Sequence, residues 1–414
     1  MRLTDPLTPP PGHDPTPEWS QSLGAGAAGI ALLHVAYAHS GAGDQGTAHQ
    51  WVTAMTRHPV VADPDACGLF RGAPAVAYVL RIAARPEYAT ALAALDGHIT
   101  ALTRCRLDRA HQRIERGQLP RLREFDLING LTGIGVYLLH ARHTELLREV
   151  LSYLVRLTEP ITVDGQTVPG WWTGHGPADH PSPDWPGGHG NLGMAHGIAG
   201  PLALLASATL DGITVPGQTD TIDHLDTWLD GWRCGTPSRP WWPGMITRTE
   251  YRTGSIGQPG PQRPSWCYGT PGLARARQLA GRALADPPRR RRAEAALASC
   301  IADDAQLARL RDGSLCHGWA GLAHTAWRAA ADAGADSDIA RLLPPLLARW
   351  RQENPQLSDP EGMLEGAAGV ALVQHTITST PTSVNTGTPP AARWDACLLT
   401  APPALQETHL EGSA

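Results

Sequence analysis

The stretch GLTGIGVYLLHA, residues 130–141, opens with a Gly-x-x-Gly and runs directly into apolar side chains at helical spacing. Six other stretches read the same way: GAAGIALLHVAY from Gly26, GAPAVAYVLRIA from Gly72, GIAGPLALLASA from Gly197, GTPGLARARQLA from Gly269, GWAGLAHTAWRA from Gly318 and GAAGVALVQHTI from Gly366. One such glycine pair carries little information, but seven at intervals of roughly 46–72 residues define a repeat. The second copy is degenerate, with Ala75 in place of its second glycine. Glycine serves such a site by turning the chain into the helix and by letting neighbouring backbones approach.

The intervals hold a second, amphipathic helix each, as in HTELLREVLSYLVRL at 143–157 and DIARLLPPLLARWRQ at 338–352. A helix pair repeated seven times gives an open solenoid or a closed ring. The glycine helices are rich in small residues and weakly polar, as an inner circle buried on most sides requires. The helices between them carry charge on one face, which suits an outer circle. The expected fold is therefore all-α, an α/α toroid of seven inner and seven outer helices. Its seven residues just before the glycine pairs are Ala25, Arg71, Asn129, His196, Tyr268, His317 and Glu365. In a ring these mostly polar groups converge at one end, as the floor of a site.

At 414 residues and net charge −5, the chain can bury a large core but lacks the basic face of a general nucleic-acid binder. Every basic residue besides histidine is arginine, and the seven cysteines are an odd count scattered over a long chain. That usage fits free or metal-bound thiols in a reducing compartment better than a disulfide framework. The proline-rich start, residues 1–20, has no apolar signal-peptide core, and no uninterrupted apolar run is long enough to span a bilayer. The expected location is the cytoplasm.

One toroid domain is expected over residues 21–400, followed by a tail at 401–414. Two long intervals, at about 160–190 and 234–264, are too rich in Gly and Pro for helices and read as loops and short strands over one mouth of the ring. His175, His180 and His189 lie in or beside the first, at spacings without ligand geometry, and read as a solvated loop. Residues 378–390 read as a flexible linker, ahead of an ARWDACLL segment that docks back.

Cys267 in SWCYGTPG and Cys316 in LCHGWAG occupy the same slot of consecutive repeats, and His317 abuts the second. In a ring, equivalent slots of neighbouring repeats lie side by side. Two sulfurs and an imidazole there satisfy three corners of a tetrahedral zinc site, with the fourth left open as catalytic zinc requires. Cys67, Cys105, Cys234, Cys300 and Cys397 share no phase with this pair and receive no role.

With NLGMAHGIAG (191–200), SWCYGTPG (265–272) and LCHGWAG (315–321) in place, the chain resembles the lanthipeptide cyclases of the LanC-like family from about residue 20 to 400. The resemblance implies a toroid that binds one zinc ion through Cys267, Cys316 and His317. It also implies active-site roles for His196, for Asp126 in FDLINGLTGIG and for Arg263 in RPSWC, while RWDACLL is similar to the family's closing motif. Tyr268, beside Cys267, is a further candidate hydrogen-bond donor. The implied reaction adds a peptide cysteine thiol to dehydroalanine or dehydrobutyrine, giving lanthionine or methyllanthionine rings. The implied partners are a dehydrated precursor peptide and a separate dehydratase, since the chain is too short to include that domain. Three other readings remain. One is glutathione addition to dehydrated residues on the same fold. Another is a toroid glycoside hydrolase using Asp126 and Glu365, which leaves the two cysteines and His317 unexplained. The third is a zinc-stabilised scaffold that only binds peptides.

Overall fold

The computed structural model describes residues 16–353, 355–357, 361–379 and 393–401. Each glycine pair begins a helix, giving seven inner helices: Ala27–Ser40, Ala73–Ala83, Leu131–Ala141, Ala199–Leu210, Thr270–Ala283, Trp319–Ala333 and Ala367–Ser379. Each packs on the next and the seventh packs on the first, so the ring is closed and the expected all-α toroid forms. Outer helices Gln45–Met55, Ala89–Glu115, Thr144–Arg156, Gln218–Gly231, Pro287–Ile301 and Asp338–Glu353 follow the first six inner ones and pack against them. After the seventh, residues 380–392 lie outside the described residues. Most of the expected 378–390 linker falls there, while Thr378 and Ser379 still belong to the last inner helix.

The division into inner and outer helices follows from composition. The third outer helix buries Leu146, Leu147, Val150, Leu151 and Leu154 on one face and leaves its charges outside. The first inner helix buries Ala27 through Leu33 without interruption, because it is packed between an outer helix and its two inner neighbours. The C-terminal segment 393–401 lies against other inner helices. The Tyr78 hydroxyl donates to the Trp394 carbonyl at 2.9 Å and accepts from the Cys397 N–H at 3.1 Å. Arg275 donates to Thr400 O at 2.9 Å, Trp394 Nε1 to Thr376 Oγ1 at 2.8 Å, and His324 bonds Asp395 at 2.9 Å.

The glycine pairs fix how each inner helix is entered. A Cβ on Gly272 would lie 2.0 Å from the carbonyl oxygen of Trp266, and one on Gly321 would lie 2.1 Å from that of Leu315. Any side chain there would push the loop off the helix. So folded, each loop reaches its neighbour through the main chain. Leu23 N donates to Phe70 O, Leu127 N to Ala195 O, Met194 N to Cys267 O, Cys267 N to Cys316 O, Cys316 N to Leu364 O, and Leu364 N to Gly24 O, at 2.7–3.2 Å. These bonds all run in one sense round the ring and weld its end into a floor. Between the second and third repeats, Gly68 instead packs directly on the Ile128–Asn129 backbone.

The two Gly- and Pro-rich intervals carry three small antiparallel pairs: Ile161–Val163 with Gln166–Val168, Cys234–Thr236 with Arg239–Trp241, and His189–Asn191 with Met245–Thr247. The last pair stitches the two intervals together above the floor. The second interval also holds one short helix, Arg248–Thr253, which the sequence reading did not expect; Thr247 and Glu250 cap it reciprocally. Among the described residues no helix is long and apolar enough to cross a membrane.

Candidate metal centre and its floor

The floor presents the seven residues that precede the glycine pairs. Ala25, Arg71, Asn129 and Glu365 are exposed, and His196, Tyr268 and His317 are partly so, while the helices behind them are buried. The main-chain bond from Cys267 N to Cys316 O, at 3.2 Å, sets the fifth and sixth repeats edge to edge. As a result the ligand atoms of Cys267, Cys316 and His317 all lie within 4.8 Å of one another. Among the described residues no other group of three metal-ligating side chains gathers in this way. All seven cysteines are free.

The chemistry of this donor set suits a soft divalent cation with one open position. Cys267 is held well below the ordinary thiol range, first by a hydrogen bond from Cys316 and then by His317; the same contact pushes Cys316 up. His317 Nε2 lies 3.3 Å from Asp312 Oδ2, and that bond, with Cys267 next, raises the imidazole to about 9. Burial works against the Asp312 carboxylate, but bonds from His317 and Ser314 outweigh it and hold it at about 2. Surroundings anionic enough to favour an imidazolium also favour a divalent cation. With Asp312 on Nε2, Nδ1 is the nitrogen left for a metal, and the carboxylate fixes the ring's orientation.

Beside this cluster, His196 Nδ1 meets Asp126 Oδ2 at 2.6 Å, and Asp126 Oδ1 accepts the Asn129 N–H at 2.6 Å. Asp126 is buried, whereas the His196 side chain is 37% exposed. Burial lowers the pKa of His196, but the bond and charge of Asp126 more than offset it, so the net shift is upward. The negative charge of Cys267 adds to that shift, which places the pair within electrostatic reach of the sulfurs. Tyr268 is oriented by Asn191, whose Nδ2 donates to the phenol oxygen at 2.9 Å while its Oδ1 holds the Gly193 N–H. Burial pushes that phenol up, so it stays protonated. Arg263 is exposed, has no hydrogen-bond partner among the described residues, and acts on Cys316 and His317 through its charge.

All seven residues singled out from the sequence therefore face one end of the ring. His175 and His189 are instead joined to each other within the first long interval, His189 Nδ1 to His175 O at 2.9 Å. Sequence reasoning missed Asp312 and Asn191. A signal for Asp312 existed, since a carboxylate four residues ahead of Cys316 is within one loop's reach of a ligating histidine. Asn191 had none.

The comparisons agree with the ring. The solved structure of nisin cyclase matches with a TM-score of 0.74 over 92% of this chain and 92% of its own, at 19% identity, which is a likeness of fold. No curated protein sequence matches the chain. A family model described as lanthionine synthetase C-like protein matches residues 17–386. With that match covering most of its length, and with the closed ring of seven inner helices it forms, the chain belongs to the lanthionine synthetase C-like family.

Proposed function

We propose that this protein is a zinc-dependent lanthipeptide cyclase. It adds cysteine thiols of a dehydrated precursor peptide to dehydroalanine or dehydrobutyrine, downstream of a separate dehydratase. The observation that carries this reading is the Cys267–Cys316–His317 cluster at the open mouth of a LanC-like toroid. Cys267, Cys316 and His317 would hold the ion, which would supply the Lewis acidity that makes a neutral-pH thiol nucleophilic, with two protein thiolates to balance its charge.

The remaining work falls to the chain's own residues. Sulfur bonds to the β-carbon, the electron pair of the double bond moves onto the amide oxygen, and a proton must reach the α-carbon. His196 is suited to carry that proton, because Asp126 occupies Nδ1 and leaves Nε2 without a protein partner. The thiol proton taken up at the floor balances the proton delivered, so mass does not change. Arg263, an exposed cation whose charge reaches the cluster, stabilises the developing negative charge, and Tyr268 offers its hydroxyl proton.

The test is to incubate zinc-loaded protein with a dehydrated, cysteine-containing peptide, with and without glutathione. The expected outcome is loss of alkylatable thiol at unchanged peptide mass, abolished by Cys316→Ala. A glutathione adduct without ring closure would overturn the reading.

A further inference from the structure

Beside the metal cluster, a cavity of about 280 Å³ opens with Asp126 and His196 at its base and Arg121, Arg123, Asp179 and His180 in its walls. Two elements make it. The short helix Leu122–Phe125 runs straight into Asp126, and the loop of the first long interval folds down onto it, with Asp179 Oδ1 accepting the Leu122 N–H at 3.2 Å.

Two guanidinia share one accessible carboxylate in this cavity. Arg121 Nε and Arg123 Nε both face the one carboxylate Asp179, at 3.9 and 3.5 Å. That carboxylate is also approached by His175 Nδ1 at 3.9 Å. Asp126 is already engaged by His196 and by the Asn129 N–H. The nearby Glu124 is taken by Arg113 and by the Tyr153 hydroxyl. Asp126 is also 1% exposed, so Asp179 is the one accessible carboxylate the two guanidinia share. Arg123 is the less committed of the two, since beyond the Asp179 contact it makes no side-chain hydrogen bond among the described residues. Arg121 is steadied by His175 Nδ1 at 3.4 Å and by Asp179 O at 3.2 Å, so one cation is fixed and the other is free to meet a ligand.

We infer that this cavity is a subsite for a carboxylate side chain of the substrate peptide, one or two residues from the dehydrated residue that reacts at His196. The inference rests on the cyclase reading. A planar guanidinium binds a carboxylate through two parallel N–H bonds, and a peptide advances roughly 3.3–3.6 Å per residue, so a neighbouring Glu or Asp reaches the wall while the reacting carbon stays at the base. The subsite selects which dehydrated residue is presented, through the acidity of its neighbours.

Binding can be tested separately from chemistry by using dehydrated peptides whose cysteines are capped. Three fluorescent peptides differing only in Glu, Gln or Lys beside the dehydroalanine are titrated by anisotropy against the zinc-loaded protein at fixed salt. The Glu peptide is expected to bind about tenfold tighter than the Gln peptide. Arg123→Gln together with Arg121→Gln should erase that difference, and Arg123→Glu should shift preference to the Lys peptide. Equal affinities for Glu and Gln peptides in the unaltered protein, or a preference that survives the double change, would overturn the subsite. A parallel assay with uncapped peptide reports ring closure. Charge preference without ring closure would count against the cyclase reading, and ring closure without charge preference would count against the subsite alone.

Discussion

Two histidine–carboxylate pairs stand in the ring at similar distances, one through Nδ1 and the other through Nε2. His196 meets Asp126 at 2.6 Å on the floor, and His324 meets Asp395 at 2.9 Å in the interior. The first imidazole is 37% exposed and has one ring nitrogen free, while the second pair is sealed, at 1% and 0%. The second also has a third member. Arg328 Nε bonds the same Asp395 oxygen at 2.5 Å, and the Trp394 ring lies 5.1 Å from His324. Complete burial and the added cation together reverse the outcome. Burial opposes the Asp395 charge, but Arg328 wins and holds the carboxyl well below its ordinary range, while burial drives His324 down. His196 moves the other way, upward, because it is less buried and the bond and charge of Asp126 outweigh that burial. One pair can move a proton. The other fastens the C-terminal segment to the sixth inner helix, the helix entered through Cys316 and His317.

The sharpest way to break the comparison is to remove each histidine's function in turn. His196→Gln should lower turnover by about 10²–10⁴-fold, the usual worth of a positioned acid–base group, with the thermal midpoint little changed. Rates on a dehydrated peptide and a melting curve read both sides. The interior pair should show the reverse emphasis. Asp395→Ala strands the Arg328 guanidinium in the core and should cost about 3–5 kcal/mol of stability, measured by denaturant titration. A stable Asp395→Ala protein would show that segment 393–401 is not the fastener inferred above.

What the sequence reveals divides along the same line. The inner ring was legible because its glycines answer a local demand: a carbonyl six residues back leaves no room for a Cβ at Gly133, Gly272 or Gly321. The outer helices were legible from amphipathic period alone. The slot shared by Cys267 and Cys316 was legible because a repeat converts phase into proximity. The partnership of Asp395 with His324 was not, since nothing local in RWDACLL says which inner helix it will meet. Nor was the pairing of His189–Asn191 with Met245–Thr247, as three-residue strands carry too little pattern to name a distant partner. Asp312 is hidden for a different reason, because a group that orients a ligand shares no repeat phase with the ligands themselves.

Asp312 provides an intermediate case. Its pair with His317 is half sheltered, at 14% and 15% exposure, and under the proposed zinc reading it would hold a ligand rather than move a proton or fasten a helix. Asp312→Asn keeps the shape but removes the charge behind the imidazole. Zinc affinity, measured by chelator competition, should fall by about 10–100-fold, with a smaller change in stability. Full metal affinity in the variant would place Asp312 among the loop-forming residues, through its bond to the Ser314 N–H, rather than among those that tune the site.

The smallest expected effect separates the two histidine pairs most cleanly, because it differs in sign. A carboxyl whose folded pKa is depressed contributes stability above its unfolded value of about 3.9 and loses it as pH falls through the folded value. His324, depressed as well, binds fewer protons folded than unfolded below about pH 6.5, so it too weakens the fold on acidification. His196 is raised, so its contribution is fully present below about pH 6.5 and fades as pH rises through the folded value. Denaturation midpoints collected from pH 2 to pH 9 should therefore show an acid limb, steepest below about pH 4, that flattens in a conservative Asp395→Asn variant. A shallower neutral-to-alkaline limb should flatten in His196→Gln. The second limb is the weaker, since solvent screens a pair so open to it. If His196→Gln altered the acid limb instead, the upward displacement assigned to the floor imidazole would be wrong, and with it the division of labour between the two pairs.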